Sequence, residues 1–192
     1  MSTASSLKTW ISPEDYLEGE LLSDIRHEYL AGELRPVHDM AGATTAHNHI
    51  AGNIFGELYV ALRGKKCAPF MNDMKAHIES AGDEWFYYPD VMVNCDPAGQ
   101  QKLYCDTPAI IVEVLSPSSE DRDRHEKAIA YRTIPTLHTY VLVAQDRREI
   151  LAFRRGDNVW TREVLPDAGS ALRFPQIECE IPLDAIYART GL

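Results

Sequence analysis

Two acids stand inside apolar runs: Asp90 in YYPDVMV (87–93) and Glu113 in PAIIVEVLSP (108–117). A carboxylate is costly to strip of water inside an apolar strand. Each therefore calls for an ion partner, hydrogen bonds at a strand end, or a metal. Strand alternation puts Ile111, Glu113 and Leu115 on one face and Ile110, Val112 and Val114 on the other. Pro89 marks an edge, a strand start or a bulge, so Asp90 is either a turn residue or the first acid of a strand. Two acids on neighbouring strands can converge on one divalent cation. Mg²⁺ favours one or two carboxylates completed by waters and phosphate oxygens.

Other candidates surround this pair. In SEDRDRHEKAIAYRT (119–133) the helical stripe 123, 127, 130/131, 134 reads Asp, Lys, Ala/Tyr, Ile, with Arg122, Glu126 and Arg132 on the opposite side. Lys127 thus lies toward the apolar stripe. It is either half of a surface Asp123–Lys127 pair, worth a few tenths of a kcal/mol, or an ammonium aimed over the sheet at the acids. In MNDMKAHI, Asp73 and Lys75 share a strand face, which makes Lys75 an alternative to Lys127. His47 and His49, two apart on a helix, do not face one another and are no natural ligand pair; His47 alone is a candidate. Ser118 with Asp121 reads as a helix cap.

The elements that must position these groups follow from periodicity. SPEDYLEG predicts a short helix over 12–19, with Ser12 as cap, Pro13 at the first position and acids in the first turn. RHEYLAGELRPV predicts a hairpin turning at Ala31-Gly32. Ile50, Ile54, Leu58 and Leu62 predict an amphipathic helix over 45–63, ended by Gly64. Strands are expected at 69–78, 85–94, 109–115 and 138–144, with the polar helix 119–133 before the last. REILAFRR and NVWTREVL continue as antiparallel strands around turns at 145–148 and 155–158, and IPLDAIYAR closes as a short helix. Strand 109–115, apolar on both faces, is expected to be central. The order gives an α/β (α+β) chain around a mixed sheet, read as a single domain over 1–192.

The totals narrow the class. The chain has 192 residues, 45% hydrophobic and 25% charged, as in ordinary globular proteins. No apolar run reaches transmembrane length, and the N-terminus lacks a basic-then-apolar signal pattern, so a cytoplasmic protein is expected. The net charge of −10, from 19 basic and 29 acidic residues, argues against binding nucleic acid through a general basic surface. It leaves room for a metal-dependent nuclease, whose bound cation reverses the local sign. Cys67, Cys95, Cys105 and Cys179 contain no CxxC pair, which speaks against structural zinc. They are expected as reduced, mostly buried thiols.

YYPDVMV, then IIVEVLSPSSEDRDRHEKAIAYR, then HTYVLVA resembles the Uma two family of restriction endonuclease-like proteins, in the PD-(D/E)XK nuclease superfamily. The resemblance covers roughly residues 12–165, and RHEYLAGEL and AGATTAHNHIAGNI look like the family's opening hairpin and first core helix. It implies a restriction endonuclease-like core of helix, three strands, helix and strand. It implies that Asp90 and Glu113 match the two motif acids and bind Mg²⁺ or Mn²⁺. The superfamily's Lys, two positions after the second acid, is here Leu115; Lys127 on the following helix is the matching candidate. Glu28 resembles an additional N-terminal acid of the family. The implied activity is endonucleolytic hydrolysis of DNA, with a weak or inactive binding module as the alternative. A homodimer through the late strands, with Phe153 and Trp160, would suit cutting both strands of a duplex. Arg122, Arg124, Lys127, Arg132, Arg147, Arg148, Arg154 and Arg155 discriminate: ringed around the acids they favour DNA, and paired off elsewhere they do not.

Overall fold

A computed structural model describes residues 10–37, 44–96, 103–157, 159–167 and 169–192. Helix α1 (Pro13–Glu20) begins as expected, with the Ser12 side chain accepting from the Asp15 N–H and Pro13 at the first position. Strands β1 (His27–Leu30) and β2 (Glu33–Pro36) form the predicted hairpin. Its turn residues Ala31 and Gly32 both have positive φ, the conformation that tight two-residue hairpin loops require. Gly32 is doubly constrained, because a Cβ there would collide with the Trp10 ring. Helix α2 (Thr45–Leu62), capped by Thr44, buries Ile50, Ala51, Ile54, Leu58 and Leu62.

The next region departs from expectation. The run 69–78 is two strands, β3 (Ala68–Met71) and β4 (Lys75–Ser80), and 85–94 is likewise β5 (Asp83–Tyr87) and β6 (Val91–Asn94). Pairs β4–β5 and β3–β6 are both antiparallel, so 68–94 is one long hairpin that breaks midway. The break falls where Asn72 takes positive φ and where Pro89 withholds a ladder donor. Below it the arms belong to a five-stranded sheet, β2-β1-β5-β4-β7, in which β7 is Tyr104–Cys105. Above it they join a six-stranded sheet, β11-β10-β9-β8-β6-β3, in which β8 is Pro108–Leu115, β9 Thr139–Ala144, β10 Ile150–Arg155 and β11 Trp160–Leu165. Asp90 sits at this bend.

The remaining strands are β12 (Ala171–Phe174) and β13 (Cys179–Pro182). The expected turn at 155–158 includes residue 158, which lies outside the described residues. Strand β8 is buried along its whole length, between β6 and its parallel neighbour β9, and is central as its sequence indicates. The crossover from β8 to β9 is one helical stretch in three pieces: α3 (Glu120–Arg122), a π-helical turn (Asp123–Lys127) and α4 (Ala128–Thr133). Helix α5 (Leu183–Ile186) follows β13 near the C-terminus. One core joins α2, one face of the large sheet, β12, β13 and α5. A second joins the other face to α4 and the small sheet.

The cysteines correct the thiol expectation in part. Continuing the β3–β6 register brings Cys67 opposite Cys95, and the two form a disulfide. Cys105 and Cys179 are free and buried, as expected.

Candidate active site

Strand pairing builds the acid pair. In the β6–β8 ladder Val91 faces Val112, so the next pair outward is Asp90 opposite Glu113. Like charges directly opposed in a sheet repel, and here backbone donors hold them. The Asp90 N–H donates to Glu113 Oε2 at 3.3 Å, and the Val114 N–H donates to Asp90 Oδ2 at 2.7 Å. Both acids line a cleft of about 740 Å³ together with Glu28, His47, Arg122, Asp123 and Lys127. Glu113 is 3% exposed, whereas the Asp90 side chain is 21% exposed and reaches solvent through the cleft.

The crossover helix supplies the cation. Lys127 Nζ lies 3.0 Å from Glu113 Oε1, 3.1 Å from Asp123 Oδ1 and 3.5 Å from Glu28 Oε1. The surface Asp123–Lys127 alternative is therefore overturned: the two residues are 1% and 6% exposed. Glu28, on β1, is also buried rather than a solvent-facing hairpin residue, and it pairs with both Lys127 and Arg122. Arg122 reaches on to Glu126, which Arg35 of β2 also holds. Two tyrosines complete the buried wall. Tyr131 donates to Glu113 Oε1 at 3.0 Å, and Tyr140 donates to the Asp123 carbonyl at 2.9 Å.

The proton equilibria follow from this crowding. Burial pushes Glu113 well above the usual carboxylate range; Lys127 opposes the shift, while Asp123 and Asp90 add to it. Burial likewise raises Asp123 against the pull of Lys127. Lys127 is disfavoured as a cation by burial, but Glu113, Asp123 and Glu28 together outweigh that and hold its proton firmly.

The other candidates are sorted by distance. His47 Nε2 lies 3.4 Å from Asp90 Oδ2, so α2 brings this ring to the acid pair. Asp73 is not on a strand: it sits in the β3–β4 turn, 78% exposed, paired with Arg26. Lys75 is buried in β4, with Nζ 3.5 Å from the Leu103 carbonyl and 5.3 Å from the Tyr88 ring centre. Lys127 is thus the lysine on Glu113. The N-cap position of α3 is Ser119 rather than Ser118, and its N–H donates to Ser116 Oγ. Tyr131 escaped the sequence reading as a functional group, although its place four residues after Lys127 put it on the same stripe.

A divalent cation fits this donor set in charge and in oxygen chemistry. Four carboxylates, Asp90, Glu113, Asp123 and Glu28, meet three cations, Lys127, Arg122 and Arg26, and Arg26 is paired with Asp73. Burial is the main cause of the raised proton affinity of Glu113, and the neighbouring Asp123 and Asp90 carboxylates add to it. Oxygen donors at a cleft suit Mg²⁺ or Mn²⁺. Among the described residues, no three His, Cys, Asp or Glu side chains are already gathered as a closed metal cage; Asp90 and Glu113 are the pair that could hold one with waters and substrate oxygens.

The family model of Uma2, described as "Putative restriction endonuclease", matches residues 13–184. The chain belongs to the Uma2 family. Two Synechocystis sp. proteins named as uncharacterized are similar to it along most of their length. Protein slr1290 is 31% identical over 92% of this chain and 91% of its own. Protein sll1609 is 29% identical over 85% of this chain and 92% of its own. In fold, the chain is similar to the crystal structure of "a putative nuclease belonging to DUF820" from Anabaena variabilis ATCC 29413. The TM-score is 0.73 at 14% identity, over 94% of this chain and 99% of that one. The chain therefore shares that structure's mixed α/β fold flanked by helices, and it belongs to a family described as restriction endonuclease-like.

Most of the basic residues that discriminate for or against DNA are paired off away from the acids in this Uma2 chain. Arg124 pairs with Glu120, Arg147 with Glu149, Arg154 with Glu163, and Arg148 with Asp167 and Asp184. Arg155 donates to the carbonyls of Arg132, Ile134 and Leu137, and Arg132 to that of Ala128. Of the eight basic residues singled out, Arg122 and Lys127 line the cleft, joined there by Arg26. No helix among the described residues is long and apolar enough to cross a membrane.

Proposed function

We propose that this chain is a metal-dependent endonuclease hydrolysing phosphodiester bonds of DNA. The observation that carries the reading is Asp90 set opposite Glu113 at a cleft, with Lys127 Nζ 3.0 Å from Glu113. Asp90 and Glu113 would hold Mg²⁺ or Mn²⁺. When bound, such an ion supplies Lewis-acid polarisation of the scissile phosphoryl group and a more acidic water. Lys127 pulls against the burial that favours the proton on Glu113 and is the nearest ammonium to charge developing on the phosphate. Glu28 acts from the other side of Lys127, fixing Lys127 and Arg122 and orienting the attacking water. A homodimer through β10 and β11 and a cytoplasmic location belong to the same reading. The Cys67–Cys95 bridge tests the location, because a reducing compartment keeps such pairs as thiols.

Isothermal calorimetry with Mg²⁺ and Mn²⁺, run beside plasmid nicking, tests the reading. Wild type should bind and nick, and Asp90→Ala and Glu113→Ala should do neither. Wild type that binds no metal would sink the mechanism. The pairing of the arginines favours a second reading, a catalytically weak member that acts as a binding or assembly module. Metal binding by wild type without nicking of any DNA form would select it.

A further inference from the structure

Glu113 is held asymmetrically. Its Oε1 takes two buried donors, Lys127 Nζ and the Tyr131 hydroxyl, each at 3.0 Å. Its Oε2 takes the Asp90 backbone N–H at 3.3 Å, on the side of the cleft-lining acid. We propose that Tyr131 is a positioning residue: its hydroxyl, with Lys127, pins Oε1 to the closed wall and so presents Oε2 to the divalent cation. The cation itself rests on the reading proposed above; the pinning of Oε1 does not.

The π-helical turn is what brings Asp123 and Tyr131 into line. An α-helix advances about 100° per residue, so residues eight apart, such as Asp123 and Tyr131, would diverge by about 80°. A π-helix, bonded i to i+5, turns about 80° per residue. Four such steps from Asp123 to Lys127 fall short of a turn by about as much as the next four α steps overshoot it. Asp123 and Tyr131 therefore share one line along the helix, within about ten degrees, with Lys127 between them about 40° to one side. All three are buried and within reach of the floor of the sheet. The neighbouring Tyr140 and Tyr87 rings pack on Tyr131 with centroids 5.3 and 5.5 Å away, which fixes the phenol. Outer partners of this kind orient a ligand, and their loss typically weakens metal affinity by about 10–100-fold.

Tyr140 is a built-in control. It is as buried as Tyr131, and its hydroxyl makes one hydrogen bond, to the Asp123 carbonyl and not to Glu113. Tyr131→Phe and Tyr140→Phe each remove one buried hydroxyl and should lower the urea midpoint of the full-length protein by similar amounts. Without metal, a double-mutant cycle of Tyr131→Phe with Glu113→Gln should be non-additive in that midpoint, and the same cycle with Tyr140→Phe additive. With Mn²⁺ as the probe, Tyr131→Phe should raise Kd by about tenfold or more, and Tyr140→Phe should leave it unchanged. Additivity of Tyr131→Phe with Glu113→Gln overturns the proposal outright. Coupling with an unchanged Mn²⁺ Kd overturns the positioning role. If the cycle couples but wild type binds no Mn²⁺, the pinning of Glu113 stands and the metal-nuclease reading falls, so the two failures are distinguishable.

Discussion

On the α2 side of β8, Ile110, Val112 and Val114 pack among Ile50, Ile54, Leu58, Val141 and Val143 in an apolar cluster. On the opposite side Ile111 and Leu115 flank Glu113, and that core holds Lys127, Asp123 and hydrogen-bonded tyrosine hydroxyls as well. One strand thus serves a dry face, where stability depends on filling space, and a charged face, where it depends on every ion keeping its partner. The charged face lies against the cleft and the dry face does not, which is how sites are usually separated from the packing that supports them.

The largest break in this contrast is Lys127→Ala. It strips the ammonium from three buried carboxylates and should destabilise by about 3–5 kcal/mol, because the charges left behind have no compensation. Urea unfolding at neutral pH measures it, and a loss below about 1 kcal/mol would mean that water already screens the cluster. Ile110→Ala on the dry face should cost about 2–5 kcal/mol through its cavity, yet leave Mn²⁺ affinity unchanged. A changed affinity would show that the two faces are mechanically linked. The disulfide packs on the dry side, at the end of β6 away from Asp90. Reducing it should lower stability by about 2–4 kcal/mol without altering Mn²⁺ binding, as thermal melts with and without dithiothreitol would read.

The pH prediction sharpens the charged side. Glu113 binds its proton more tightly folded than unfolded. Between the ordinary carboxylate pKa and the raised folded one, the native state holds more protons than the unfolded state, and stability falls as pH rises. Glu113→Gln should remove that part of the slope in metal-free protein. Mn²⁺ affinity of wild type should move the other way, rising by up to about tenfold per pH unit across the same window as the cation displaces the proton. Smallest of all, Arg154→Ala breaks a partly exposed pair with Glu163 and should change stability by less than about 1 kcal/mol.

Alternation within 109–115 is enough to place Glu113 opposite Val112 and Val114, and the stripe 123, 127, 131, 134 is enough to turn Lys127 inward. These are local periodicities, and they survive in the fold. The family resemblance pointed to Lys127 as the substitute for a lysine at Leu115, and Lys127 is the lysine that meets Glu113. Glu28 was legible only as a candidate, because a four-residue strand carries too little pattern to show which side is covered; the cover is the crossover helix, about a hundred residues away in sequence. The split of 69–78 and 85–94 was hidden because a hairpin that passes between two sheets keeps strand composition throughout.

What the sequence determines by itself is the kind of group available at each place: two acids in strands, a lysine on an inward stripe, caps and turns where Ser12, Gly32 and Pro89 stand. Those follow from interactions within a few residues. Tertiary structure alone decides which groups meet. The β6–β8 register sets Asp90 against Glu113, packing of the crossover helix on the sheet brings Lys127 and Tyr131 onto Glu113, and the β3–β6 register joins Cys67 to Cys95. Each depends on pairing between distant segments, and its energy comes from contacts that no local stretch of chain contains.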